Sequence, residues 1–344
     1  MTRLTIQRAG PAMTVQDMGR TGTLKLGLSR GGAADRLALI EAAALLGRPL
    51  GDAVIEMAAM GGRFTVDAPV RIALTGAPMR ATLDGAPLIW NATHLMPPGA
   101  VLEIGPAVAG VYGYLSFAAG IVAPEVLGSR STHLNAGLGR LLRDGDTLAL
   151  AADPDPERAG VKLEPEERCA GGEIRIVEGP QTSLYSGQTR ARFAETAFRR
   201  STHGNRQGVK LDFDGAPFEA DGQLGIVSDV IVPGDIQMTG DGIPFVLLPE
   251  CQTIGGYPRM GAVIPADLPK VAQAAPGAGL RFAFLTLEEA DKAWQSEAAQ
   301  LKALRAKVQP MLRSPHDIAD LLGYQLISGA TAGNELDSDD LERP

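Results

Sequence analysis

A chain of 344 residues exceeds one ordinary domain, and 45% hydrophobic with 21% charged residues supplies material for two cores. The formal charge is −8, half of it from residues 335–344 with five acids against one base, so the body is only mildly acidic and has no basic stripe. Nucleic acid and anionic membrane surfaces are therefore excluded as partners, and Cys169 and Cys251, without C-x-x-C spacing, exclude a disulfide scaffold or a zinc or redox motif.

With 42 Gly and 24 Pro, the composition predicts many turns and short strands. The N-terminus alternates polar and apolar residues over 4–8, which predicts a strand and not a signal segment. No apolar run reaches bilayer-spanning length, so a cytoplasmic chain is expected. Asp35 is placed to cap a helix running through Leu37, Ile40 and Ala44 to a stop at Gly47, with Pro49 beyond. Strands follow at 63–66 and 70–75, a hairpin tip at Asp84-Gly85, strands at 101–104 and 112–118, and a second tip at Asp144-Gly145. Residues 153–172 are charged, Pro-bearing and aperiodic, and read as a linker between an N-terminal β module, 1–152, and a C-terminal one, 173–290.

In the second module, strands are predicted at 174–177, 225–231, 245–248 and 280–285, with a two-turn helix over 266–273. Thr286 and Glu289 have capping-box spacing and open a helix through Trp294 and Leu301 toward Val308. It belongs to a helical extension, 291–333, that precedes an acidic disordered tail, 334–344. Residues 5–11 faintly resemble 175–180 at an offset of 169, the mark of two copies of one β module.

The segment with most chemical content is Gln252-Thr253-Ile254-Gly255-Gly256-Tyr257-Pro258-Arg259. Adjacent glycines can expose successive amide N–H groups toward an oxyanion. Around them stand an amide, a hydroxyl, a phenol and a guanidinium fork. On spacing alone, a turn closed by Gly-Gly and Pro is the commoner meaning. The loop Gly204-Asn205-Arg206-Gln207-Gly208 carries an Arg and amides able to orient a planar ligand, though singly such loops are more often solvated. Asp17 and Arg20 read as a carboxylate–guanidinium pair, either at a site rim or, more commonly, fixing a turn.

Gly27-Leu28-Ser29-Arg30-Gly31 matches the G-x-S-x-G nucleophile elbow, but the chain has too few helices for the hydrolase fold that motif requires. It reads better as a glycine-rich approach to the N-terminus of the Asp35 helix, where an anion could sit by Ser29. No phosphate-binding Gx₄GK[ST] loop occurs, and His94, His133, His203 and His316 show no metal spacing.

Six segments together carry a resemblance that no one of them does: Thr14-Val15-Gln16-Asp17-Met18-Gly19-Arg20, Gly32-Ala33-Ala34-Asp35, Leu127-Gly128-Ser129-Arg130-Ser131-Thr132, Asn205-Arg206-Gln207-Gly208, Val232-Pro233-Gly234-Asp235-Ile236-Gln237 and Gln252 to Pro258. In this order, over about residues 4–290, the chain resembles the biotin-dependent carboxyltransferase-domain family related to allophanate hydrolase subunit 2. That family includes the C subunit of bacterial 5-oxoprolinase, the antagonist of a sporulation-kinase inhibitor, and the carboxyltransferase region of urea carboxylase. The resemblance implies a mostly β fold with minor α, built as two cyclophilin-like β-barrel modules with a few short helices.

It further implies a subunit-B-like partner, with a subunit-A homologue alongside, and a small amide or lactam substrate. ATP would act at the level of the complex in 5-oxoproline opening, and carboxybiotin in the alternative, carboxyl transfer to urea or a related amide. A third alternative is a non-catalytic regulator that binds a subunit-B homologue. The implied catalytic set is Gln252, Thr253, Gly255, Gly256, Tyr257 and Arg259, and the implied substrate-binding set is Asn205, Arg206, Gln237, Asp17, Arg20 and Ser29, with no metal ligands. The chain departs from the family pattern at Ile254 in place of Thr, Ser228-Asp229-Val230 in place of Ser-Glu-Gly, Gln207 in place of Met, and Tyr112, near which an Arg is usual.

Overall fold

In a computed structural model describing residues 1–118, 120–155, 158–220 and 227–311, the N-terminal alternation becomes a strand, Thr2–Arg8, that buries Thr2, Leu4 and Ile6. Its antiparallel neighbours are Thr147–Leu150 and Arg63–Val66. They belong to a seven-stranded sheet that continues through Leu102–Ala107 and Met79–Leu83. A second seven-stranded sheet places Met13–Gln16, Val54–Ala58, Tyr112–Phe117, Val70–Gly76 and Ala92–Met96 side by side. Leu4, Phe64 and Ile104 from the first sheet share one core with Ile55, Ile72 and Leu115 from the second. The central strands Val70–Gly76 and Tyr112–Phe117 are buried at every position, as expected of strands covered on both faces.

Helix α1, Arg36–Leu46, follows its predicted limits. The Asp35 side chain accepts from the Ala38 N–H, and Gly47 closes the helix at φ 68°, a left-handed conformation that glycine adopts without strain. Every residue from Ala38 to Leu46 is buried, so α1 is an internal helix between the second sheet and the C-terminal helices.

The C-terminal half closes a seven-stranded barrel in the order Gly172–Val177, Arg259–Val263, Asp235–Met238, Pro244–Leu247, Gly208–Asp212, Phe198–Gly204 and Gly279–Leu285. Closure comes from the parallel pairing of Gly172–Val177 with Gly279–Leu285 and leaves the barrel without an edge. The two strands of the faint repeat thus differ in setting, since Thr2–Arg8 has only antiparallel neighbours. Helix α2, Gly187–Glu195, buries Phe193 within 4.9 Å of Phe198 and 5.2 Å of Phe282, measured between ring centroids. Chain and composition thus give a mostly β protein with few helices among the described residues.

The two halves share a core in which Ala34, Leu39 and Tyr114 meet Ile236, Met260 and Val271. Helix α3, Leu268–Gln273, ends on the fully buried Gln273. This amide accepts from the Val111 and Tyr112 N–H groups and donates to the Tyr112 carbonyl and to Asp35, so all its polar capacity is spent across the seam. In the stretch 153–172, Arg71 forks onto the buried Asp153 at 2.8 Å, and Arg168 lies buried between Asp35 at 2.7 Å and Glu41 at 2.6 Å. Val161–Lys162 adds a short strand to the second sheet. The charges that make this stretch look solvated are anchors.

Three elements differ from expectation. The helix from Thr286 keeps its capping box but stops at Trp294, because Ser296 takes an extended conformation and caps a second helix. The result is α4, Leu287–Ala293, and α5, Glu297–Arg305, whose Leu301 packs on Ile40 and Ala44 of α1. Asp84-Gly85 is a hairpin tip with φ 49° and 84°, but Asp144-Gly145 is not one. There Asp144 accepts from the Ala9 N–H and the turn pairs with Ile6. Of the strand expected over 225–231, residues 225–226 lie outside the described residues, and Asp229–Val230 pairs with Ile254–Gly255. Residues 312–333 of the extension, which include His316, and the acidic tail 334–344 lie outside them too.

Asp267, which buries its carboxylate at the start of α3, accepts from the Arg175 N–H, Nε and Nη2 at 2.7–2.8 Å. Burial pushes this carboxyl up, but the Arg175 bonds outweigh it and hold the group below the usual carboxylate range. A depressed folded pKa means stability that is complete above the unfolded value, about 4, and is withdrawn as pH falls through the folded one. Asp267→Asn is therefore expected to lower unfolding free energy at pH 7 by about 1.5–3 kcal/mol and to lose less between pH 5 and 3 than the parent, as read by urea titration.

Candidate functional site

The turn between Phe198–Gly204 and Gly208–Asp212 stands where the barrel meets the N-terminal sheets. Asn205 Oδ1 accepts the Gln207 N–H at 2.7 Å, and the turn projects Arg206 back into the seam. Arg206 donates to Glu250 Oε1 at 2.6 Å, to Glu56 and to the Gly32 carbonyl. Burial works against its charge, but the two carboxylates hold its pKa well above the ordinary value. Glu56 also accepts from the Ala34 N–H and the Tyr114 hydroxyl, both at 2.8 Å. The helix N-terminus itself is capped by Asp35, whose side chain accepts from the Ala38 N–H, and Glu56 holds the Ala34 N–H just before it.

On the barrel side of the turn is a cavity of about 590 Å³ whose lining includes Asn205, Gln237, Gln252 and Tyr257. Four of the twelve residues expected from sequence thus meet in one space, together with His203 and Cys251. Gln237 Nε2 is buried there without a hydrogen-bond partner among the described residues. Gly255 makes room for it, since a Cβ at that position would lie 2.6 Å from Gln237 Nε2. Burial pushes the Cys251 thiol up to about 12, so it is a packed thiol and not a nucleophile. No Asp, Glu, Lys or Arg is among the described lining residues. The space can grip a neutral polar group with amide and phenol donors, and none of its described lining residues is a carboxylate.

The other expected residues lie elsewhere. Gly255 is extended, paired with Asp229, and neither it nor Gly256 takes a positive φ, so the expected amide concavity does not form. Arg259 is buried outside the cavity and donates to Gln181, the Val230 carbonyl, Asp235 and Asp229, so it positions the 229–235 segment rather than a ligand. Ile254, the departure from Thr, is 60% exposed. Asp17 and Arg20 are buried, not at a rim. Asp17 accepts from Ser129 Oγ and the Arg130 N–H, and Arg20 donates to Ser131 Oγ and the Ser131 carbonyl, so both hold the 126–131 loop.

Ser29 and Thr253 line a neighbouring cavity of about 370 Å³ with His133 and Glu250. Ser29 Oγ lies 2.9 Å from His133 Nε2, and Glu250 Oε2 lies 4.0 Å from His133 Nδ1. This outlines a Ser-His-Glu array, but the proton is on the wrong side. The Ala136 N–H donates to Nδ1 at 3.3 Å, so Nδ1 accepts, Nε2 carries the hydrogen, and Ser29 accepts from it. Burial holds the imidazole below its usual range, so His133 is neutral and does not draw a proton from Ser29.

Arg200, Glu56 and Glu250 were not among the expected residues. Glu56 had a visible signal, a lone acid inside the apolar run Val54-Ile55-Glu56-Met57. So did Arg200, one of two adjacent arginines that a strand must send to opposite faces. Among the described residues no group of three or more His, Cys, Asp and Glu is placed to hold a metal ion, and no helix is long and apolar enough to cross a membrane.

The chain and its fold have counterparts among known proteins. A family model described as "Carboxyltransferase domain, subdomain A and B" matches residues 26–284. The C subunit of Escherichia coli 5-oxoprolinase is 35% identical over 88% of this chain and 97% of its own length. Urea amidolyase of Saccharomyces cerevisiae is 26% identical over 88% of this chain but only 18% of its own. The crystal structure of K. lactis urea amidolyase superimposes with a TM-score of 0.79 at 25% identity, covering 91% of this chain and 21% of that one. With a match over most of its length and a relative aligned nearly end to end, the chain belongs to the carboxyltransferase-domain family that contains the 5-oxoprolinase C subunits.

Proposed function

We propose that the chain is the C subunit of an ATP-dependent 5-oxoprolinase that opens the lactam of 5-oxoproline to glutamate, acting with subunit-B-like and subunit-A-like partners. The observation that carries this reading is the cavity in which Asn205, Gln237, Gln252 and Tyr257 converge, with one amide donor uncommitted among the described residues. Such a set suits a lactam carbonyl, whose oxygen gains charge as the ring amide is activated. ATP would supply the driving force from the partner subunits, because this chain has no phosphate-binding loop. The identity of 35% to a 5-oxoprolinase C subunit, against 26% to a urea amidolyase, favours the lactam over urea.

The close likeness to urea amidolyase supports a second reading, transfer of carboxyl from carboxybiotin to a small amide in the same cavity. Co-expression with subunit-A-like and subunit-B-like homologues, followed by assay of ATP- and 5-oxoproline-dependent glutamate release, separates the readings. The expected result is release that requires all three chains. Full release without this chain would overturn the proposal, as would a complex that is inert to 5-oxoproline but carboxylates urea, or one that is inert to both.

A further inference from the structure

On the opposite side of the Gly204–Gln207 turn lies a second cavity, of about 420 Å³, walled by Ala58, Val111, Tyr112, Leu141, Arg200 and Pro276. Arg200 is 4% exposed, and among the described residues it forms no ion pair. Its Nη1 donates to the Ser201 carbonyl at 3.2 Å, while its Nε is buried without a partner. Glu56 and Glu250 also line this cavity, but both are committed to Arg206. Tyr112, buried beside Arg200, donates no hydrogen bond among the described residues, and burial pushes its phenol up to about 12, so it remains a donor. An unpaired guanidinium is costly to bury, and a native fold that keeps one in the wall of a cavity has a use for the charge.

We propose that this cavity binds a small organic monocarboxylate, its carboxylate on the Arg200 guanidinium and the Tyr112 hydroxyl, its carbon skeleton against Val111, Leu141 and Pro276. The guanidinium fork matches a carboxylate in plane, and the apolar walls favour a carbon-bearing anion over a hydrated inorganic one. Arg200 is the anchor of this site whether or not the amide-lined cavity opens a lactam.

The test is calorimetric titration of the full chain with L-5-oxoproline, isovalerate, the neutral amide of each, and inorganic phosphate. Saturable binding of at least one carboxylate, none of its amide or of phosphate, and at least a tenfold loss in Arg200→Gln are expected. Tyr112→Phe, which keeps the ring and Arg200, should weaken binding several-fold and keeps the question answerable if Arg200→Gln does not fold. Absence of carboxylate binding, equal binding of the amides, or unchanged affinity in the variants overturns the proposal. So does an Arg200→Gln chain that gains stability while carboxylates leave both proteins' melting temperatures unmoved, for then the charge is only a structural cost.

Discussion

Arg206→Ala is expected to lower the unfolding free energy by about 3–5 kcal/mol, the cost of leaving buried carboxylates without their counter-charge. Glu56 and Glu250 are each about 2% exposed at the side chain and both depend on this one guanidinium. Because Glu56 sits on Val54–Ala58 and Arg206 on the barrel turn, the loss falls on the seam between the halves. Urea titration should show an earlier midpoint with the slope kept, if the halves still unfold together. Adding Glu56→Gln and Glu250→Gln should restore part of the loss, a non-additivity that identifies the buried charges as its source. A loss below about 1 kcal/mol would mean that water reaches both carboxylates.

Local chemistry made part of this fold legible. Asp35 and Gly47 bracket α1, and Thr286 with Glu289 opens α4, because capping acts within one turn of chain. Apolar-rich strands bracketed by turn residues, such as Val70–Gly76, were visible from local pattern too. Two strands that bury charge were not. Phe198–Gly204 reads Phe-Arg-Arg-Ser-Thr-His-Gly and Val54–Ala58 contains Glu56, and only tertiary pairing makes those charges compatible with burial. The stretch 153–172 looked like a linker because Asp153 and Arg168 are charged, and their partners Arg71, Asp35 and Glu41 lie 82 to 133 residues away.

The candidate site divides along the same line. Asn205, Gln237, Gln252 and Tyr257 line one cavity, whereas the amide concavity expected of Gly255-Gly256 does not form. A Gly-Gly pair permits positive φ without requiring it, and here Gly255 is small so that Gln237 can lie against it. Arg259 failed for a related reason. A guanidinium in a motif advertises an anion, but Asp229 and Asp235 of this chain are the anions it meets.

Gln237→Leu is expected to leave the melting temperature unchanged or raised while reducing 5-oxoproline-dependent glutamate release by roughly 100-fold in the assembled complex. The two directions follow from one atom. Gln237 Nε2 is buried and unpartnered, and removing an unsatisfied polar group for an apolar one of similar size relieves a desolvation cost. If that donor is held in reserve for a carbonyl oxygen that gains charge during reaction, the same substitution removes stabilisation present only in the transition state, so kcat falls more than KM rises. Stability and activity moving apart is the signature of a group kept for function at the expense of the fold. Arg259→Ala supplies the contrast. It strips Asp235 and Asp229 of their partner, so melting temperature and turnover should fall together, and Arg259→Lys should restore little because four acceptors share one planar fork. Gln237→Leu with full turnover would detach the amide-lined cavity from the reaction and leave the Arg200 cavity as the place to look for the substrate.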